Sequence, residues 1–180
     1  MQIVIAGAGI GGLTLALMLH RRGIECRVFE SAQELRPLGV GINLLPHAVS
    51  ELEPLGLLAG LAERAIETSQ LHYYNKFGQP IWREPRGLEA GYPLPQFSVH
   101  RGEFQMLLAQ TVRARLGQDA IVTGKVLESV EQDASGATAH FRCRTDGALH
   151  SVRADIVVGA DGIHSALRRQ LHPTGDEPRF

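Results

Sequence analysis

The chain has 180 residues, 44% of them hydrophobic, and 18 basic against 19 acidic side chains give it a formal net charge of −1. That length can bury one substantial core, and the balanced charge supplies no global field to draw in nucleic acid or a membrane surface. Cys26 and Cys143 lack CxxC spacing, which fits a reducing compartment with buried or idle thiols better than a disulfide scaffold or a zinc site, so a cytoplasmic protein is expected.

The opening run QIVIAGAGIGG could be mistaken for a signal peptide. It has no basic leader, however, and Gly7, Gly9, Gly11 and Gly12 interrupt it as a nucleotide-binding turn would. Ile3 to Ile5 reads as a strand buried in a parallel sheet, Leu13 to Arg21 as a helix stopped by Gly23, and Arg27 to Glu30 as a second strand ending in a carboxylate. Within this β-α-β order, Gly7-Ala8-Gly9-Ile10-Gly11-Gly12 fits GxGxxG. The first glycine suits a tight turn, the second a close approach of backbone to pyrophosphate, and the last close packing of helix on strand. Glu30 falls near the spacing at which an acid binds a ribose hydroxyl, and it disfavours a 2′-phosphate. The fingerprint fits FAD or NAD better than NADP and does not separate the first two.

The segment LRPLGVGINLLP, Leu35 to Pro46, carries Gly39 and Gly41 and can bring bare backbone against a flat ring; the plainer reading is a loop before a helix from His47 to Leu61. Arg36 is either a nucleotide partner or a solvated surface arginine. Leu71 to Trp82 reads as a hairpin turning at Lys76 to Gln79, whose Tyr73, Tyr74, Phe77 and Trp82 either wall a pocket or pair across the strands. The helical spacing of Phe104, Leu107, Leu108, Val112 and Leu116 predicts a helix that stops at Gly117. Arg101 lies at its start, where the dipole disfavours a cation, so it is expected to meet an anionic group. A strand at Ala120 to Thr123 and an antiparallel meander over Val126 to Val152 follow. Ile156 to Val158 repeats the buried-strand signature and breaks into the turn Gly159-Ala160-Asp161-Gly162, with a helix expected from Ser165. The tail LHPTGDEPRF reads as a linker. The eight histidines show no HxxxH or HExxH spacing, so no metal site is expected; no GxSxG elbow or Cys/His pairing suggests a covalent nucleophile, and no catalytic residue is assigned.

These motifs together resemble the single-component flavin-dependent aromatic hydroxylases, of the p-hydroxybenzoate and salicylate hydroxylase type. GAGIGG with Glu30, HRGEFQMLL with Arg101, and GADGIHSALR carry the resemblance, while RPLGVGIN, EPRG and GADGIHS are most similar to the 5-methylphenazine-1-carboxylate monooxygenase branch. The resemblance implies an α/β fold: a Rossmann-like FAD-binding domain of the glutathione-reductase type, with a parallel sheet, a β-meander and the start of an inserted substrate-domain sheet. Residues 1–180 would form that domain, incomplete, with about 70–98 contributing to the substrate-binding sheet. It also implies that Gly7, Ala8, Gly9, Ile10, Gly11 and Gly12 hold the pyrophosphate, Glu30 and Ser31 the adenosine ribose, Arg36 and Arg101 the phosphate and sugar region, and backbone at Val126 the adenine. Gly41 and Ile42 would lie near the isoalloxazine, with Asp161 and Gly162 serving FAD and a passing nicotinamide. The family's later Gly-Asp motif has no counterpart in these residues, so the chain is expected to be the N-terminal half of such an enzyme. FAD is the implied cofactor and NADH or NADPH the transient reductant. The implied reaction hydroxylates a small aromatic substrate, phenazine-like or salicylate-like, with O2 through a C4a-hydroperoxyflavin. A reductase or halogenase of the same fold and a non-catalytic dinucleotide-binding module are the alternatives.

Overall fold

The structure, a computed structural model, describes residues 1–174. The chain divides into two compact units, one built from Met1–Arg36 and Leu108 onward, the other from Pro37–Leu107.

In the first unit, β1 (Gln2–Ala6), α1 (Ile10–Arg21) and β2 (Glu25–Phe29) form the expected β-α-β crossover. With β8 (Ile121–Val122) and β12 (Ile156–Gly159) the strands make a parallel sheet in the order β12-β1-β2-β8. Alternation splits its side chains between two faces. Cys26 lies on the α1 side, its Sγ 3.7 Å from the Ala16 carbonyl, and burial raises the pKa of its thiol. Val4, Ala6 and Phe29 face the other way, into a core shared with the meander β9 (Lys125–Asp133), β10 (Gly136–Cys143) and β11 (Leu149–Ala154). Phe29 stacks on Phe141 there with ring centroids 4.6 Å apart, and both rings are buried. That stack fixes the end of β2, and with it the residue that follows, Glu30.

One expectation changes in its details. Ile156–Val158 does form a strand, but β12 is the sheet's edge, and Ile156 is 45% exposed rather than buried on both faces. Its apolar composition matches an interior strand, whereas its position leaves one side without a neighbour among the described residues. The helix α5 (Ala166–Leu171) starts as expected, with Ser165 Oγ accepting from the Arg168 N–H at 2.9 Å. The linker reading of the tail falls largely outside the described residues.

In the second unit, β3 (Gly41–Leu44), β7 (Phe97–His100) and β4 (Ala65–Glu67) form an antiparallel sheet, and β5 (Gln70–Tyr74) pairs with β6 (Pro80–Pro85) as a hairpin. The segment Gly41–Leu44 is therefore a strand, not a plain loop. The single helix expected over His47–Leu61 is broken into α2 (Pro46–Leu52), a 3-10 turn at Glu53–Leu55 and α3 (Leu58–Ala62). Pro54 cannot donate in the middle of a helix, and Gly56 turns the chain at φ +67°. On the hairpin, Tyr73 lies opposite Trp82 as a cross-strand pair, and each is more than half exposed. The helix α4 (Arg101–Leu116), whose residues from Leu108 belong to the first unit, buries Phe104, Leu107, Leu108 and Val112, most of the stripe read from the sequence, while Leu116 stays partly exposed.

Candidate nucleotide site

The C-terminal ends of β12, β1 and β2 lie side by side, so the turns that follow them meet at one edge of the sheet. Backbone hydrogen bonds lock the junctions: Gly7 N–H donates to Phe29 C=O at 2.7 Å, and Ala160 N–H donates to Ala6 C=O at 2.7 Å. The second turn therefore packs onto the first.

The glycines of the first turn divide into two kinds. Gly7 has φ +110°, and a Cβ there would collide with the Ala160 carbonyl; a Cβ on Gly12 would collide with the Gly7 carbonyl. These two are dictated by the fold itself. Gly9 has an ordinary φ of −71°, and a Cβ on Gly9 or on Gly11 would meet nothing within 4 Å. Nothing among the described residues demands glycine at either position, whereas a ligand lying against bare backbone does. The start of α1 agrees: Gly9 offers no side-chain cap, and no acidic residue occupies the first turn. The leading N–H groups and the positive end of the helix dipole are thus left to an anion.

Glu30 sits one residue beyond β2. Its Oε2 accepts from Ala8 N–H at 2.7 Å, while Oε1 accepts from Ala32 N–H at 2.7 Å and from Ser31 Oγ at 3.0 Å. The carboxylate is thereby oriented before any ligand arrives. β8 and the start of the meander flank the main chain of Glu30, with Glu30 N–H donating to Val122 C=O of β8 and Lys125 N–H of β9 donating to Glu30 C=O, both at 2.8 Å, so that Val126 is the next residue along β9. In the second turn, Asp161 Oδ2 accepts from Ala166 N–H at 2.7 Å, while its Oδ1 is buried without a hydrogen-bond partner among the described residues. An unsatisfied buried acceptor at the strand ends suits a hydroxyl donor on a bound ligand. Gly162 follows at φ +76°.

The other expected residues make contacts of their own. Arg36 forms an ion pair with its neighbour Glu34, Nη2 to Oε2 at 2.8 Å, with both side chains about two-thirds exposed. Gly41, Ile42 and Arg101 belong to the second unit and group there: Gly41 opposes His100, Ile42 opposes Val99, and Arg101 N–H donates to Val40 C=O at 2.9 Å. Sequence reasoning missed Ala160, whose carbonyl makes Gly7 necessary, and Arg144, whose Nε donates to Ser31 C=O at 2.6 Å. No local pattern marks Arg144, which is 113 residues from its partner in sequence.

A free acceptor, an uncapped helix start, two glycines the fold does not need and a pre-oriented acid fit a dinucleotide whose pyrophosphate crosses the first turn. The family model described as FAD binding domain matches residues 1–178. The chain belongs to the FAD-binding domain family. Among relatives of this FAD-binding domain, the chain is 52% identical over 174 residues to phenazine 1,6-dicarboxylic acid hydroxylase PhzS of Lysobacter antibioticus, covering 96% of this chain and 43% of that protein. It is 38% identical over 186 residues to 3-amino-4-hydroxybenzoate 2-monooxygenase of Streptomyces cremeus, covering 99% and 43%. Klebsiella pneumoniae HpxO complexed with FAD and uric acid superposes with a TM-score of 0.76 at 30% identity, over 94% of this chain and 41% of that one. The domain thus spans less than half the length of each of these relatives, and its fold is the Rossmann-like FAD-binding fold expected from the motifs.

Proposed function

We propose that this domain binds FAD across its two turns and forms the cofactor-holding part of an FAD-dependent monooxygenase that hydroxylates a small aromatic substrate, using NADH or NADPH and O2. The observation that carries the reading is the pair of glycines, Gly9 and Gly11, whose missing Cβ atoms are required by nothing among the described residues, at a turn joined to a second turn by the Ala160–Ala6 hydrogen bond. A single NAD-binding crossover does not call for that second turn. The phenazine and aminohydroxybenzoate hydroxylases among the relatives support the substrate class, and their aromatic rings suit an oxygenating flavin enzyme.

Bound flavin would supply the redox chemistry, accepting hydride and activating oxygen. The residues of this chain do the holding. Gly9, Gly11 and the first N–H groups of α1 receive the pyrophosphate. Glu30 accepts from the adenosine ribose with Ser31 at its side. Val126 backbone borders the base, Asp161 Oδ1 accepts a ligand hydroxyl, and Gly162 leaves room beside it. Arg36, Gly41, Ile42 and Arg101 are proposed to complete the flavin's surroundings, and residues 70–98 to contribute to a substrate-binding sheet.

The test uses the complete gene product loaded with FAD. NADH or NADPH oxidation and oxygen uptake are followed together as phenazine- and salicylate-like carboxylic acids are added, with product hydroxylation read by mass. Substrate-stimulated oxygen uptake with gain of one oxygen atom supports the monooxygenase reading. Hydride transfer without oxygen insertion into any aromatic acid would point instead to a reductase.

A further inference from the structure

We propose that Arg144 is a positioning residue for the adenosine end of the dinucleotide: it holds the turn that carries Glu30 and presents its guanidinium face to the adenine ring. This rests on the FAD-binding reading above and extends it to a side chain far from every glycine motif. Arg144 lies on the connection between β10 and β11. Its main chain and side chain close a circuit of hydrogen bonds around the residues after Glu30. Gly124 N–H donates to Ala32 C=O at 2.8 Å, Arg144 N–H donates to Gly124 C=O at 2.9 Å, and Arg144 Nε donates to Ser31 C=O at 2.6 Å. A side chain as long as arginine is costly to immobilise on a surface, yet here one N–H fixes its plane while four guanidinium N–H groups remain for a ligand or water.

Beside this circuit is an open surface depression of about 280 Å³ lined by Ala32, Gln33 and Arg144, with Gln33 and Arg144 exposed. A depression of that kind does not enclose a whole small ligand, so it suits one end of a longer molecule. The chemistry of the lining is specific. A planar cation stacks on an aromatic face, and the Gln33 amide can both donate to and accept from the edge of a purine. Glu30, two residues from the lining of the depression, is the ribose acceptor, and a base attached to that ribose cannot lie far from it. The occupant is therefore a purine base joined to a ribose and pyrophosphate.

The test compares the full chain with Arg144→Ala, Arg144→Gln and Arg144→Lys by flavin fluorescence titration with FAD and with FMN, which lacks the adenosine, and by competition with ADP. Thermal unfolding of the unliganded proteins reports folding separately. The expected result is that Arg144→Ala weakens FAD and ADP at least about tenfold while FMN binding holds. Arg144→Lys should fall between, because it keeps the charge and loses the fixed plane. If Arg144→Ala unfolds, the Gln and Lys variants carry the comparison. Unchanged FAD binding, or an equal loss for FAD and FMN, overturns the assignment. Failure of the unsubstituted chain to bind any of the three ligands overturns the dinucleotide reading and this inference with it.

Discussion

A methyl group added at Gly12 and one added at Gly9 meet different fates, and that contrast separates folding from binding at a single turn. At Gly12 it strikes the Gly7 carbonyl, so Gly12→Ala is expected to destabilise the unliganded chain by about 1–3 kcal/mol through overpacking, measured by chemical denaturation. At Gly9 it meets open space, so Gly9→Ala should cost no more than about 1 kcal/mol, the loss of a tolerable helix cap, and still weaken FAD binding at least about tenfold. Equal damage to stability from the two substitutions would remove the argument that Gly9 is kept for a ligand. Glu30 plays both parts. Glu30→Ala strands the Ala8 and Ala32 N–H groups, for an expected loss of about 1–3 kcal/mol, and deletes the ribose acceptor. Glu30→Gln keeps one acceptor oxygen, so it should restore part of the stability but less of the FAD affinity. These roles were readable in the sequence because GxGxxG and an acid at the right distance are local patterns. The Oδ1 of Asp161, unpartnered among the described residues, and the carbonyl of Ala160 above Gly7 were not, because each depends on β12 lying beside β1, an arrangement between residues some 150 positions apart.

At the scale of elements, the meander supports the site through one aromatic stack. Phe141 on β10 covers Phe29 at the end of β2, so Phe141→Ala should cost about 3–5 kcal/mol and, in the population still folded, weaken FAD binding by loosening Glu30. The same meander carries an acid-sensitive turn. The carboxyl of Asp133 is held well below the usual carboxylate range, chiefly by a hydrogen bond from Arg153, at 2.6 Å, and next by one from Ser135. A carboxylate lowered in the folded state stabilises at pH above its unfolded value, about 3.9, and that contribution is lost as the pH falls further. Asp133→Asn should therefore be less stable than the unsubstituted chain at neutral pH, with the gap narrowing as the pH falls below about 4. Denaturation midpoints across that range check it, and a gap independent of pH contradicts it. Element boundaries were legible wherever composition changes sharply, as at Gly117 or Asp146-Gly147. The long helix expected from His47 failed because its apolar spacing continues through Pro54, and the missing N–H outweighs the spacing.

At the scale of the whole molecule, the two glycine-rich turns and the resemblance built on them were legible in the sequence, and the parallel sheet makes sense of their distance apart. Residues at opposite ends of the chain close one site because β12 returns to pair with β1. The contribution of Arg144 and the edge position of β12 were not legible, since hydrophobicity reports an apolar strand without saying how many neighbours it has. The central claim is that both turns bind one FAD molecule. Titration of the chain with FAD, followed by flavin fluorescence with excess NAD as competitor, tests it most directly. Saturable FAD binding is expected that NAD does not displace and that Gly9→Ala weakens at least about tenfold without unfolding the chain. Displacement of FAD by comparable concentrations of NAD would contradict it.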